Sequence, residues 1–248
     1  MSYIRIIPSL LLSKNKLVKG TRFKNHQLAG NPVSTIKAFE SQKADEITLI
    51  DIDNYNQNKE NFVPDLYTLK EISKETSTPL TFGGGIQNLK IAKQIIENGA
   101  EKIFLNRSVL FNKLNIKEFV ETFGGQAIVI GLNVIKINGK LKIYEKNDED
   151  LYKYIEKMQK LGVGEFKITF VENEGTKKGM DIKMCVELQK LISISSIFEG
   201  GVGNLDHIKD LASNKISSIA MGRILIFNDF NIIKIKTFLK NENFEVRI

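Results

Sequence analysis

The sequence predicts an α/β fold: a (β/α)8 TIM barrel made of two duplicated half-barrels within one domain, residues 1–248. Three observations predict it. Short apolar runs alternate with amphipathic segments from end to end. Eight such units in 248 residues match the size of one such barrel. Two separate motifs also recur at a single offset of 116 residues.

The apolar runs lie at 4–11, 47–52, 79–82, 102–106, 126–132, 165–170, 194–198 and 216–221. Between them stand NPVSTIKAFESQKA, PDLYTLKEISKET, NLKIAKQIIENGA, DEDLYKYIEKMQKLG, DIKMCVELQKLI and NLDHIKDLAS. Their apolar residues recur at spacings of three and four, which gives each helix one buried face. Strands flanked by helices read as parallel units covered on both sides. One segment departs from this rhythm. NVIKINGKLKIYEKN carries Asn138-Gly139 between alternating residues, the signal of a tight β-hairpin after the fifth strand. The repeat relates TFGGGIQNLK (81–90) to IFEGGVGNLD (197–206), and IFLNRSVLF (103–111) to IAMGRILIF (219–227). It divides the chain into half-barrels at about 1–122 and 123–248.

Composition narrows the function classes. Hydrophobic residues make up 42% and charged residues 26%, an ordinary globular balance. The apolar runs are far shorter than the roughly 20 residues that span a bilayer, so no membrane association is expected. No secretory signal opens the chain, and the single Cys185 can form no internal disulfide, so the expected location is cytoplasmic. The net charge of +7 is scattered along helical faces without an aromatic-basic cluster, so nucleic acid is not an expected partner. His26 and His207 are isolated and read as surface residues; no metal or cofactor is expected.

The repeated glycines carry the first functional signal. Gly83-Gly84-Gly85 and Gly200-Gly201 each follow a strand and precede a helix. Glycine there lets backbone amides approach a phosphate closely. The next unit of each half ends in Asn106-Arg107-Ser108 or Gly222-Arg223, again entering a helix. Two equivalent cradles across the barrel mouth suit a phosphorylated small molecule with a phosphate at each end.

RIIP, LVKGTRF, GNPV, DEITLIDID, FGGGI, GAEKIFLN, FGGQAIVIGLNV, GEFKIT, EGTKKGMD and EGGVGN follow one another along the whole chain. In this order the chain resembles the cyclase subunit of imidazole glycerol phosphate synthase, a half-barrel duplication of histidine biosynthesis. The resemblance implies a glutaminase partner at the N-terminal face of the barrel and ammonia passing up the interior. It implies acid–base chemistry by two aspartates at the ends of the first and fifth strands. Here those positions are Leu11 and Asn133. Leucine cannot move a proton, and asparagine does not titrate near neutrality. Asp51 matches a mouth position and is the first candidate for a replacement acid, with Asp53, Glu172, Glu174 and Asp181 behind it.

By the same resemblance Lys19 belongs to a mobile loop that closes over substrate, and Thr169 and Thr176 lie in or near the mouth. The segment YEKNDEDLYKYIEK is short and lacks the family's glycine-bearing substrate loop. The four charges that ring the family's ammonia inlet are all present, as Arg5, Glu46, Lys102 and Glu165. A kept inlet with lost acids resembles a divergent branch that works with surface-sugar biosynthesis. There the barrel passes ammonia to an amidotransferase that turns a sugar acetamido group into an acetamidino group. Three readings compete: an ammonia-channelling subunit, a cyclase with relocated acids, and a half-barrel sugar-phosphate isomerase. The third also needs acids at strands one and five.

Overall fold

A computed structural model describes residues 3–55, 62–227 and 230–247. Its eight parallel strands are β1 (Arg5–Ser13), β4 (Ile47–Asp51), β5 (Leu80–Gly83), β6 (Lys102–Leu105), β7 (Ile128–Ile137), β9 (Glu165–Phe170), β10 (Ser195–Glu199) and β11 (Ser218–Met221). They pair in this order, and β11 pairs back onto β1 with Arg5 opposite Ser218, which closes the barrel. All eight predicted strands are therefore present.

The helices include α1 (Pro32–Ser41), α2 (Leu66–Ser73), α3 (Leu89–Glu97), α6 (Leu151–Lys160), α7 (Ile182–Leu191) and α8 (Leu205–Ser213). Each starts on an Asn or Asp whose side chain accepts an amide hydrogen of the first turn: Asn31, Asp65, Asn88, Asp150, Asp181 and Asn204. Further helices are α4 (Arg107–Leu110), α5 (Ile116–Phe123), α9 (Arg223–Phe227) and α10 (Ile232–Asn241). No helix among the described residues is long and apolar enough to cross a membrane.

Two antiparallel hairpins extend from the barrel. The predicted one pairs β8 (Lys140–Ile143) with the end of β7. The other was expected as a loop. Residues 16–30 instead form β2 (Lys16–Thr21) and β3 (Lys24–Gly30), with β2 paired to the end of β1. The first and fifth barrel strands thus each run on into a hairpin.

Strand alternation sorts side chains into two cores. On β1, Ile6, Leu10 and Leu12 join the large cluster between sheet and helices. Ile7 faces inward and forms a separate cluster with Ile197 and Ala220 inside the barrel. On β9, Phe166, Ile168 and Phe170 are in the outer cluster, so Glu165, Lys167 and Thr169 face the interior at successive levels. Two of the leucines that follow Pro8 are therefore outer core, and Leu11 alone lines the mouth.

Candidate functional site

The C-terminal ends of the strands enclose a cavity of about 840 Å³. Leu11 and Asn133 both line it. The Asn133 amide donates to Glu145 at 2.5 Å. Glu145 follows β8, and Tyr55 donates to the same carboxylate oxygen at 3.4 Å. The other oxygen of Glu145 is buried without a hydrogen-bond partner among the described residues. Burial pushes this carboxyl up, against the hydrogen bonds from Asn133 and Tyr55. The sequence reading missed Glu145. Its only signal was a carboxylate close after a hairpin that the sequence did predict.

The acids that the sequence did name hold loops together. Asp51 accepts the amides of Asp53 and Asp65, each at 2.9 Å. Asp53 accepts the Ser13 hydroxyl at 2.6 Å and the Lys14 amide at 2.9 Å. Glu172 accepts the Lys136 amide at 3.0 Å, and Asp181 caps α7. Burial raises the Asp51 carboxyl to about 6, against those two amides. A folded value above the unfolded one means that folding favours the protonated form. That stability is present below roughly pH 4 and is lost as pH rises through the folded value. Carbon-13 NMR is expected to place the Asp51 midpoint at about 6. A midpoint below roughly 4 would show that the two amides outweigh burial.

A second group of charges is fully inside. Lys19 is 2% exposed, a correction to its reading as a loop lysine. It forms an ion pair with Glu174 and stands 4.0 Å from Glu199. Burial opposes its charge, but Glu174 and Glu199 outweigh burial and raise the amine. Glu199 is paired with Lys167 and accepts the Thr169 hydroxyl at 3.2 Å. Burial would raise Glu199, yet Lys167 and Lys19 hold it well below the usual carboxylate range. Lys167 also lies 5.7 Å from the centre of the Phe104 ring. Neither Lys167 nor Glu199 was singled out in the sequence. The available signal was period two: Lys167 follows the inward Glu165 by two residues.

The two glycine cradles are not equivalent. Gly84, Gly85, Asn106 and Arg107 line the cavity. Gly83 is buried against Phe104. Gly200, Gly201, Gly222 and Arg223 stand outside the lining. Gly201 accepts the Gly179 amide at 2.7 Å. Arg223 donates to the Thr21 hydroxyl of the β2–β3 hairpin at 3.2 Å. Thr169 lines the cavity, whereas Thr176 turns its hydroxyl back to the Asn173 carbonyl at 2.7 Å. His26 is exposed, but His207 is half-buried and accepts the Gly203 amide at 3.2 Å. Among the described residues no group of side chains could hold a metal ion.

At the opposite end, Arg5, Glu46, Lys102 and Glu165 meet in one ring. Arg5 donates to Glu165 at 2.5 Å and to Glu46 at 3.4 Å, and Lys102 donates to both carboxylates at 2.7 Å. Thr81 donates to Glu46 at 2.6 Å, and Ser195 to Glu165 at 2.7 Å. Arg5 also donates to Ser218 at 2.9 Å. The strands carrying these residues alternate inward, so the ring lies beneath the Ile7, Ile197 and Ala220 cluster.

The model of the histidine biosynthesis protein family matches residues 5–231. The imidazole glycerol phosphate synthase subunit HisF of Sulfurisphaera tokodaii is 31% identical over 255 residues, covering 100% of both chains. Its namesake from Clostridium botulinum strain Okra is 31% identical over 256 residues, 98% of each. A putative imidazole glycerol phosphate synthase subunit hisF3 of Vibrio vulnificus is 33% identical over 235 residues, 90% of this chain and 88% of the relative. With a closed eightfold barrel and relatives aligned along nearly its whole length, this chain belongs to the histidine biosynthesis protein family and is a HisF-like barrel.

Proposed function

We propose that this chain is the barrel subunit of a glutamine amidotransferase complex and carries ammonia without performing cyclase chemistry. A glutaminase docks at the N-terminal face, around Arg5, Glu46, Lys102 and Glu165. Ammonia enters through that ring and leaves at the mouth, past Leu11. The acceptor is an amidotransferase that converts a sugar acetamido group to acetamidino in surface polysaccharide biosynthesis. One observation carries the reading: an aliphatic side chain and an amide line the mouth at the two acid positions, while the ring at the other end is complete. Free ammonia becomes non-nucleophilic ammonium in neutral water, so an enclosed passage preserves its reactive form.

A second reading is favoured by Glu145. Its carboxyl is raised by burial, stands next to Asn133 and has one free oxygen, as an acid displaced by one side chain would. In that case the chain is an active cyclase of histidine biosynthesis with a relocated acid. The test is turnover of the purified chain, from a host without its own cyclase, with ammonium at alkaline pH and the bisphosphorylated cyclase substrate. Losing general acid–base help lowers rates ~10²–10⁴-fold per group, so no imidazole glycerol phosphate above background is expected. Turnover near that of a complete cyclase would sink the conduit reading. Abolition of that turnover by Glu145→Gln would then identify the replacement acid.

A further inference from the structure

We propose that Lys167 is a nucleophilic amine that forms an imine with a small aldehyde or ketone held in the mouth cavity. The inference goes beyond the conduit reading and stands whether or not ammonia passes beneath.

The barrel places this amine at the floor of the cavity. Lys167 is on β9, the sixth barrel strand, and alternation points it inward between Glu165 and Thr169. It lines the cavity together with the groups around its head, Glu199, Thr169 and Phe104. Ser9, Ile50 and Glu199 line the cavity too, while Ile7, Thr48 and Ile197, two residues earlier on the same strands, do not. A purely structural role accounts poorly for a lysine here. Ile7, Ile197 and Ala220 fill the neighbouring interior without charge, and a buried ion pair adds little stability over apolar side chains of the same volume. A buried lysine on a rigid strand, at the wall of a cavity, is instead a suitable carbonyl-binding amine.

Glu199 supplies the proton route. At rest it is ion-paired with Lys167. Moving one proton across the pair leaves a neutral amine beside a neutral acid, so neither group is stranded as a buried charge. The Nζ lone pair then forms a C–N bond to the carbonyl carbon as the C=O π bond breaks, and one amine hydrogen passes to that oxygen. Glu199 returns its proton to the new hydroxyl, the C–O bond breaks, and water leaves. The product is an iminium on Lys167 facing the Glu199 carboxylate, so the interior carries the same charges before and after. Lys19 is the poorer candidate: it sits on the hairpin, and Glu174 and Glu199 together hold its amine charged. Apolar Leu11, Ile50 and Phe104 stand beside polar Ser9, Asn133 and Thr169 in the lining, and about 840 Å³ gives room for an open-chain sugar.

Reductive trapping on the full chain tests this. The chain is incubated with dihydroxyacetone and cyanoborohydride, which reduces an iminium in preference to a free ketone, and the adducts are mapped by peptide mass spectrometry. One reduced triose is expected on the peptide that carries Lys167, formed about tenfold or more faster than on Lys19 or on exposed lysines such as Lys24 and Lys140. Lys167→Arg keeps a cation beside Glu199 but forms no imine, so the fast adduct should vanish. The map of the unsubstituted chain decides the matter even where that variant disturbs the fold. Equal rates at Lys167 and the exposed lysines, preference for Lys19, a fast adduct that survives Lys167→Arg, or no adduct at Lys167 would each overturn the proposal.

Discussion

Replacing Lys167 by methionine is expected to lower stability by about 3–5 kcal/mol and the melting temperature by roughly 10 °C. The reason is what the substitution leaves behind. Methionine fills the volume of the lysine stem, so little packing is lost. Glu199 keeps its contacts to Thr169 and the more distant Lys19, but its nearest counter-charge is gone. A buried carboxylate without a close partner is far costlier than the intact pair. The double substitution Lys167→Met with Glu199→Leu should recover most of the loss, because it removes both desolvated charges at once. Thermal unfolding of the two single variants and the double variant makes the cycle. A neutral Lys167→Met would mean that water reaches the pair and that the barrel floor is open at that level. The prediction therefore bears on the proposed conduit too, since a passage along the axis would cross this level.

What the sequence made legible, and what it hid, follows from the range of each signal. Strand positions depend on local apolar runs and were visible, as were the helices, through apolar residues spaced three and four apart. The Asn138-Gly139 hairpin was visible because a tight turn of this kind needs positive φ at both central residues, here 49° and 78°, and Asn-Gly supplies it cheaply. The β2–β3 hairpin uses the same backbone at Arg22 (52°) and Phe23 (60°), and enters through Lys14 (49°) and Asn15 (60°). Arginine, phenylalanine and lysine do not advertise such a turn. Tertiary contacts hold it instead: the Arg22 amide donates to the Glu174 carbonyl at 2.9 Å and its guanidinium to the Glu172 carbonyl at 2.9 Å. For the same reason Lys19 read as a loop residue. Its burial is set by partners more than 150 positions away in the chain. The ring residues were legible through resemblance, and their mutual distances only through the closed barrel.

Lys102→Met in that ring is expected to destabilise the chain by about 3 kcal/mol at neutral pH, more than Glu165→Gln does. The asymmetry lies in exposure. The Glu46 and Glu165 side chains are each 4% exposed, whereas Arg5 and Lys102 are 27% and 22% exposed. A cation that loses its carboxylate can turn toward water; a buried carboxylate that loses its cation cannot. In the intact ring, burial would raise Glu165, but Arg5 and Lys102 hold it below the ordinary value. That stability is present above the unfolded value and is lost as pH falls through the folded one. Without Lys102 the depression shrinks or reverses, and a raised carboxyl gains stability on acidification. The deficit of Lys102→Met should accordingly be largest near pH 7 and narrow toward pH 5, as urea unfolding at both pH values would measure. A small deficit that does not change with pH would mean that the four charges are separately solvated. A solvated ring does not close the barrel end, and the conduit reading would then lose its entrance.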